Sequence, residues 1–337
     1  MEKQKLDNSR KVIAEFCQNH NGDYEILKEM IWAAAESGAT HGKIQSMFAD
    51  DLSFRERFEE GNADDKGQII TIKRPYKDEY NRLKGLEINY KQHEDFIKEC
   101  EKASIIPMTT LFNLDRINDI YNLGFKVIKV ASYDCGSFPL ITSLANKFNE
   151  IIVSTGATYD HEIKETINIL NQTDINYSLL HCVTIYPTKL EHFHLGRLEV
   201  LNNLCNNIGF SDHSLVSRDG ILGTLAAIYM GASIIERHFT ILDEHETKDG
   251  PVSIGKEHIK EIINFTKLDK DDQLIYINEK GIDLNILKGN KDRELSSEEL
   301  LNRDYYRGRF INKYRDSTVY NWEEDAKKLD NYLGMKI

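Results

Sequence analysis

The sequence has no C-x-x-C pair. Its five cysteines (Cys17, Cys100, Cys135, Cys182 and Cys205) are odd in number and widely spaced, which excludes a disulfide framework and makes reduced thiols of a cytoplasmic protein the expectation. Long apolar runs are also missing. The longest stretch free of charge, Gly220–Ile235, holds three glycines and falls short of the roughly 18 residues of a membrane span. Met1–Arg10 is polar and lacks the apolar centre of a secretory signal. Positive charge is in deficit, with 43 Lys and Arg against 55 Asp and Glu and a formal net charge of −12. Nucleic acid and anionic membranes both require a positive field, so neither is expected as a partner; a small anion held by a few local lysines still is. The glycine fingerprint of a dinucleotide fold is missing as well, since Phe16–Gly22 supplies one glycine.

What the 337 residues do contain is 40 % hydrophobic and 29 % charged side chains, enough for a sizeable core in an ordinary globular composition. Short β-branched runs alternate with helical periodicity. Strands are expected at Val12–Phe16, His41–Gln45, Ile105–Thr109, Lys126–Ala131, Ile151–Ser154, Tyr177–Cys182, Asn207–Phe210 and Ser233–Glu236. Helices are expected at Tyr24–Ser37, Gln92–Ala103, Leu114–Leu123, Pro139–Phe148, His161–Leu170, Leu195–Leu204, Arg218–Met230 and Lys256–Thr266, with Ser46–Leu86 a polar insertion. Eight βα rounds in about 260 residues predict an α/β fold of the (β/α)8 TIM-barrel type spanning 1–267. A charged, tyrosine-rich C-terminal extension, 268–337, follows without a ninth round.

A barrel places reacting groups just past the C-terminal ends of its strands. There the sequence has Glu15 with Asn19 and His20; Lys43 and Gln45; Thr109 and Thr110; Lys129, Ser132 and Asp134; Ser154 and Thr155; His181, Thr184 and Tyr186; Ser211, Asp212 and His213; Glu236 and His238. His213 and His238 close neighbouring strands, which suits a divalent Lewis acid, although a single histidine can equally be a hydrogen-bonded structural residue. Lys43 and Lys129 are either Schiff-base nucleophiles or anion clamps. The hydroxyls of Thr110, Ser132, Ser154 and Ser211 favour a clamp for phosphate or carboxylate, against the plainer reading in which they cap helices. Glu15, in an apolar strand, is either a proton-transfer group or the ion-pair partner of Lys43 or Lys129. His192 and His194 read as surface residues, and His93, His161 and His258 as solvated ones on helices.

Seven ordered segments carry a resemblance: Ala14-Glu15 with Asn19-His20-Asn21-Gly22-Asp23, Lys43-Ile44-Gln45, Lys129-Val130-Ala131-Ser132, Ser154-Thr155-Gly156, His181 through Thr188, Gly209 through Ser214, and Glu236 through Thr240. Together the chain resembles the sialic acid (N-acetylneuraminate) synthase family, which includes legionaminate and pseudaminate synthases. The resemblance implies a homodimeric enzyme that condenses phosphoenolpyruvate with an aldose such as an N-acetylmannosamine-type sugar. It implies Mn2+ or Mg2+ on His213 and His238, and phosphoenolpyruvate on Lys43, Thr110, Lys129, Ser132, Ser154 and Ser211. Glu15 and Asp134 become the catalytic carboxylates, with Asp134, Gln45, Tyr186 and Asp249 facing the sugar. The chain departs from the family at Ser132-Tyr133-Asp134, where a longer glutamate is common, at Thr184 in place of asparagine, and at Lys248-Asp249-Gly250-Pro251, which makes Asp249 a shifted candidate. The family's C-terminal antifreeze-like domain is not recognisable, although Asn302–Asn312, with Arg303, Arg307 and Arg309, is similar to the approach to it. The competing readings are a Schiff-base aldolase using Lys129 and a non-catalytic sugar-binding barrel.

Overall fold

The computed structural model describes residues 10–314 and 317–319, the side chains as far as Asn312. Eight parallel strands close a barrel: β1 Lys11–Cys17, β2 His41–Ser46, β3 Ile106–Leu111, β4 Val127–Val130, β5 Glu150–Ser154, β6 Asn176–Cys182, β7 Ile208–Asp212 and β8 Ile234–His238. Each strand pairs with its sequence neighbours, and β8 returns to β1. The expected barrel is therefore the observed one, with strand boundaries shifted by a residue or two.

The two-residue period of a strand sorts these side chains. Val12, Ala14, Ile44, Ile128, Val130, Ile151, Val153, Leu179, Phe210 and Ile235 join the large outer core beneath the helices. The alternate set points inward, where Ile13, Met108, Val127, Ile152, Leu180 and Ile234 fill the floor of the barrel. Two residues further along the same strands stand Glu15, Thr110, Lys129, Ser154, Cys182 and Glu236. One step of the pleat therefore carries the inner wall from an apolar plug to a polar mouth.

The surrounding helices are α1 Tyr24–Glu36, α2 Tyr90–Lys102, α3 Ile117–Leu123, α4 Phe138–Ala145, α5 Asp160–Leu170, α6 Arg197–Asn202, α7 Leu222–Tyr229 and α8 Lys256–Thr266. The single helix expected over Arg218–Met230 is broken: a turn at Val216–Asp219 ends at Gly220, whose φ of +52° leaves the helical region, before α7 starts. His93 on α2 is buried, a correction to the solvated position expected for it. Its Nε2 meets Ser46 Oγ at 2.9 Å and its Nδ1 meets the Asn89 carbonyl at 2.9 Å, linking α2 to the end of β2. His161 is exposed and His258 half-buried. The insertion resolves into short helices at Arg57–Glu60 and Tyr76–Leu86 with a two-stranded ribbon between them.

After the barrel come α9 Lys270–Glu279, α10 Leu284–Lys288 and α11 Ser297–Tyr306. Ile277, Ile282 and Leu287 are part of the same outer core as the barrel helices. α11 starts from a capping box of Ser296 and Glu299 and is tied over the C-terminal mouth of the barrel. Residues 315–316 and 320–337 of the expected extension lie outside the described residues. Among the described residues no helix is long and apolar enough to cross a membrane.

Gly209 marks where the floor is tightest, since a Cβ there would meet the Ile234 carbonyl oxygen at 2.2 Å and Leu180 Cδ2 at 2.5 Å. Backbone cannot yield as a side-chain tip can. Gly209→Ala is expected to lower unfolding stability by about 1–3 kcal/mol, measured by denaturant titration, and an unchanged midpoint would contradict this packing.

Candidate active site

Four charged side chains occupy the mouth, each at most 6 % exposed: Glu15, Lys43, Lys129 and Glu236. Register brings Glu15 of β1 opposite Lys43 of β2 and His238 of β8. Lys43 Nζ contacts the Glu15 carboxylate and donates to Thr110 Oγ1 at 3.0 Å. Lys129 Nζ donates to Ser154 Oγ at 2.6 Å and to its neighbour's carbonyl, Val130 O, at 3.0 Å. Glu236 stands between the lysines, 3.7 Å from Lys43 and 3.9 Å from Lys129, and accepts from Ser211 Oγ at 2.9 Å. Its Oε2 accepts no hydrogen bond.

These neighbours set the charge states. Burial disfavours the Lys43 ammonium, yet the Glu15 and Glu236 carboxylates outweigh it and hold Lys43 above its ordinary value. For Lys129 burial prevails: Glu236 supports its charge, the Lys43 ammonium opposes it, and the net direction is downward. Burial pushes Glu236 up, but Lys129, Lys43 and the Ser211 hydroxyl bring it below the usual carboxylate range. Two ammonium groups facing two carboxylates leave the mouth close to neutral before anything binds.

Of the positions expected from sequence, Glu15, Lys43, Gln45, Thr110, Lys129, Ser132, Ser154, Tyr186, Ser211, His213 and His238 all line one cavity of about 80 Å³. Glu236, Tyr133 and Cys182 line it too. Glu236 stood at a strand end in the sequence without a role, and its parity with His238 was the available signal. Asp134 does not line this cavity; it is buried in the turn after β4. Asp249 is not on the wall either, but its Oδ2 is 3.8 Å from His238 Nδ1. A larger cavity of about 490 Å³ lies beside segment 292–295 and includes His181 and Thr155. Its two arginines are already engaged, Arg197 by Asp160 and Arg293 by Glu299, so the concentration of reactive groups stays with the smaller one.

His213 and His238 have ring centroids 5.4 Å apart, and the Tyr186 ring lies 4.2 Å from that of His213. Burial, with the neighbouring His238, pushes His213 down to about 3, leaving a neutral imidazole. His238 Nδ1 is buried without a hydrogen bond. A neutral imidazole beside an unpartnered ring nitrogen fits a divalent cation. The strands bearing them are locked from outside by the fully buried pair Arg237 and Asp212, 2.5 Å apart. Asp212 also accepts from Thr224 and from the Ser214 N–H, at 2.6 and 2.8 Å. Because Asp212 and Arg237 alternate with Ser211, His213, Glu236 and His238, anchoring them outward aims the others inward.

The first loop is a scaffold of similar kind. Asn19 Nδ2 donates to Phe239 O and Ser253 Oγ, both at 2.9 Å, and its Oδ1 accepts from Thr247. This ties the loop after β1 to the one after β8. Gly22, at φ +80°, lies so close to the insertion that a Cβ would sit 2.1 Å from Gly85 O. The rim is completed by the C-terminal segment: Tyr306 stacks on Tyr133 at 4.7 Å, and Asn302 Nδ2 donates to Thr184 O at 3.1 Å. Arg303 and Arg307 both donate to Glu162 Oε1, at 2.6 and 2.5 Å. The segment Asn302–Asn312 was singled out in the sequence, but its contacts with Tyr133, Glu162 and Thr184 were not, because each spans a long stretch of chain.

Burial raises Asp134 to about 7 despite Arg307 and Arg309 nearby. Its folded value thus exceeds the unfolded one of about 3.9, so its contribution to stability is complete below pH 4 and is lost as pH rises through 7; three units correspond to roughly 4 kcal/mol. The stability of the wild type minus that of Asp134→Asn is expected to fall between about pH 4 and pH 7 and to level off above. A difference independent of pH in urea titrations would refute the assignment.

Comparison with known proteins places this geometry. A family model described as NeuB family matches residues 30–270. The N,N'-diacetyllegionaminic acid synthase of Campylobacter jejuni is 31 % identical over 258 residues, covering 74 % of this chain and 73 % of that one. The enzyme of the same name from Legionella pneumophila is 30 % identical over 262 residues, 75 % of this chain and 70 % of that one. Among solved structures, the N-acetylneuraminic acid synthetase of Leptospira borgpetersenii superposes with a TM-score of 0.66 at 25 % identity, covering 88 % of this chain and 91 % of that one. By the extent of the family match and the identity to these relatives, this chain belongs to the NeuB family.

Proposed function

We propose that the barrel mouth condenses phosphoenolpyruvate with the open-chain form of an aldose, N-acetylmannosamine-like or a diacetamido hexose, to give a nonulosonic 2-keto-3-deoxy acid and phosphate. As a member of its family the chain is an enzyme, a transferase that forms a carbon–carbon bond. One observation carries the substrate reading: two buried ammonium groups and a set of hydroxyls face a pair of imidazoles across one cavity. The first group suits a small polyanion and the second a cation beside it.

On this reading Lys43 and Lys129, with Thr110, Ser132, Ser154 and Ser211, grip the phosphate and carboxylate. His213 and His238 would hold a divalent ion, Mn2+ or Mg2+ in the family, which supplies Lewis acidity toward the aldehyde oxygen. The neutral charge balance of the mouth supports the need for added positive charge, since Glu15 and Glu236 already offset both lysines. Attack of C3 on the aldehyde carbon forms the new bond and sends the carbonyl electrons to oxygen, which takes a proton. Water adds at C2, and cleavage of the C2–O bond releases phosphate and leaves the ketone. Glu15 is the group placed to carry the proton from that water to the new hydroxyl: its Oε1 is fixed by the Cys17 N–H at 2.8 Å, and its Oε2 faces Lys43 and Gln45. Gln45 and Tyr186, with Asp249 behind His238, are the groups nearest the sugar. Asp134, off the cavity wall, receives no part in the reaction.

Phosphate release from phosphoenolpyruvate with Mn2+ across a panel of aldoses tests this. Release is expected to depend on the acceptor and to stop with chelator. His213→Ala and His238→Ala are each expected to lose at least about a hundredfold in kcat/KM, near 3 kcal/mol of transition-state stabilisation. Mass increase of Lys129 after borohydride treatment with pyruvate would instead support the Schiff-base aldolase.

The rim supports a role for the C-terminal segment in acceptor choice. Deleting from Leu268 would strip core residues such as Ile277 and Leu287, so a point change is the cleaner test. Tyr306→Ala removes the stacking on Tyr133, worth about 0.5–1.5 kcal/mol, and is expected to raise the acceptor KM roughly 3- to 10-fold while the phosphoenolpyruvate KM stays put. Equal changes in both constants would assign Tyr306 to stability alone.

A further inference from the structure

We propose that the cation of this mouth is held by a thiolate as well as imidazole: Cys17, His238 and Asp249 are ligands of one ion, giving a mixed S, N and O site that selects Co2+ or Zn2+ over Mg2+. The inference rests on the reading of His238 as a metal-facing residue and adds two ligands that the sequence did not assign to the ion.

Three separate segments supply the donors, namely the end of β1, the end of β8 and the loop that follows it. The Cys17 Sγ, a His238 ring nitrogen and an Asp249 carboxylate oxygen all lie within 4.8 Å of one another. Metal–sulfur and metal–nitrogen bonds of about 2.3 and 2.0 Å place tetrahedral ligand atoms about 3.5 Å apart. Closing that gap takes side-chain adjustments of about an ångström, without movement of the strands. His238 Nδ1 is buried, makes no hydrogen bond, and lies 3.8 Å from Asp249 Oδ2. That nitrogen has no hydrogen-bond partner among the described residues, with the Asp249 carboxylate beside it and the Cys17 thiol in the same cluster.

The frame that holds the three is rigid. Cys17 has a φ of +44°, uncommon for a residue with a side chain, and the β1–β2 register shifts between Glu15 and Cys17. The shift breaks the strand alternation, Glu15 pairing with Lys43 and Cys17 with Ile44, so it is this irregularity at the end of β1 that sets the position of Cys17. Asn19, two residues on, pins the loop that carries Asp249 through Phe239 O, Ser253 and Thr247, and Ser253 Oγ in turn donates to Asp249 O at 2.6 Å. The contacts that fix Cys17 therefore also fix Asp249. His213, with its ring 5.4 Å from that of His238, stands next to this cluster of three but is not part of it. A sulfur donor favours the softer cations, whereas Mg2+ takes oxygen ligands.

Chelator-treated full-length protein titrated with Co2+ reads the ligand set directly, since a cobalt–thiolate bond adds a near-ultraviolet charge-transfer band to the visible bands of the ion. The wild type is expected to show that band, and a large excess of Mg2+ is expected not to remove it. Cys17→Ser should keep the visible bands, lose the charge-transfer band and bind Co2+ at least about tenfold more weakly. Asp249→Asn should weaken binding and keep the band. Cobalt bound by the wild type without a thiolate band, or no cobalt bound at all, overturns the proposal, and both are read on unmutated protein whether or not the variants fold. The band and the condensation can fail separately. Chelator-sensitive phosphate release without a thiolate band removes Cys17 and leaves the proposed reaction, whereas the band without release for any aldose does the reverse.

Discussion

Lys43 and Lys129 are each 2 % exposed, and an unpaired ammonium at such a place would cost several kcal/mol. They persist because Glu236 sits between them and Glu15 meets Lys43, so that the four charges balance within one dry space. Most of the mouth follows from this constraint. The hydroxyls of Thr110, Ser154 and Ser211 are needed to satisfy donors and acceptors that water no longer reaches. The Glu236 oxygen without a hydrogen bond and the lowered basicity of Lys129 mark where that balance is incomplete.

Holding the quartet requires that alternate residues be fixed outward. The buried Arg237–Asp212 pair does this for β7 and β8, and Asn19 does it for the loops after β1 and β8. Asp212 lies between Ser211 and His213, and Arg237 between Glu236 and His238, so strand geometry converts their anchoring into aim. The Asn19-His20-Asn21-Gly22 segment, which reads as a functional signature, is in structural terms a clamp: Asn19 ties two loops and Gly22 lets the Gly85 carbonyl approach.

The C-terminal segment belongs to this architecture rather than standing beside it. α9 and α10 contribute to the outer core, and α11 brings Tyr306 and two arginines to the rim through Tyr133 and Glu162.

Period-two alternation and helical spacing are local properties, so the sequence alone was sufficient for the barrel and for Glu15, Lys43, Lys129, Ser154, Ser211, His213 and His238 at its mouth, whereas Asp212, expected beside them, points outward to Arg237. His93 was misread because its polar ring resembles a surface residue until Ser46 and the Asn89 carbonyl are seen around it. Glu236 acquired its place between the lysines only when β4 and β8 were brought across one interior from opposite arms of the chain. Asp134, beside Ser132 in sequence, turned off the cavity wall because a tight turn after β4 redirects it. The meeting of Cys17 with Asp249, and of Tyr133 with Tyr306, depends on closure of the barrel and on the path of loops. Those are set by long-range packing, which no short stretch of residues encodes.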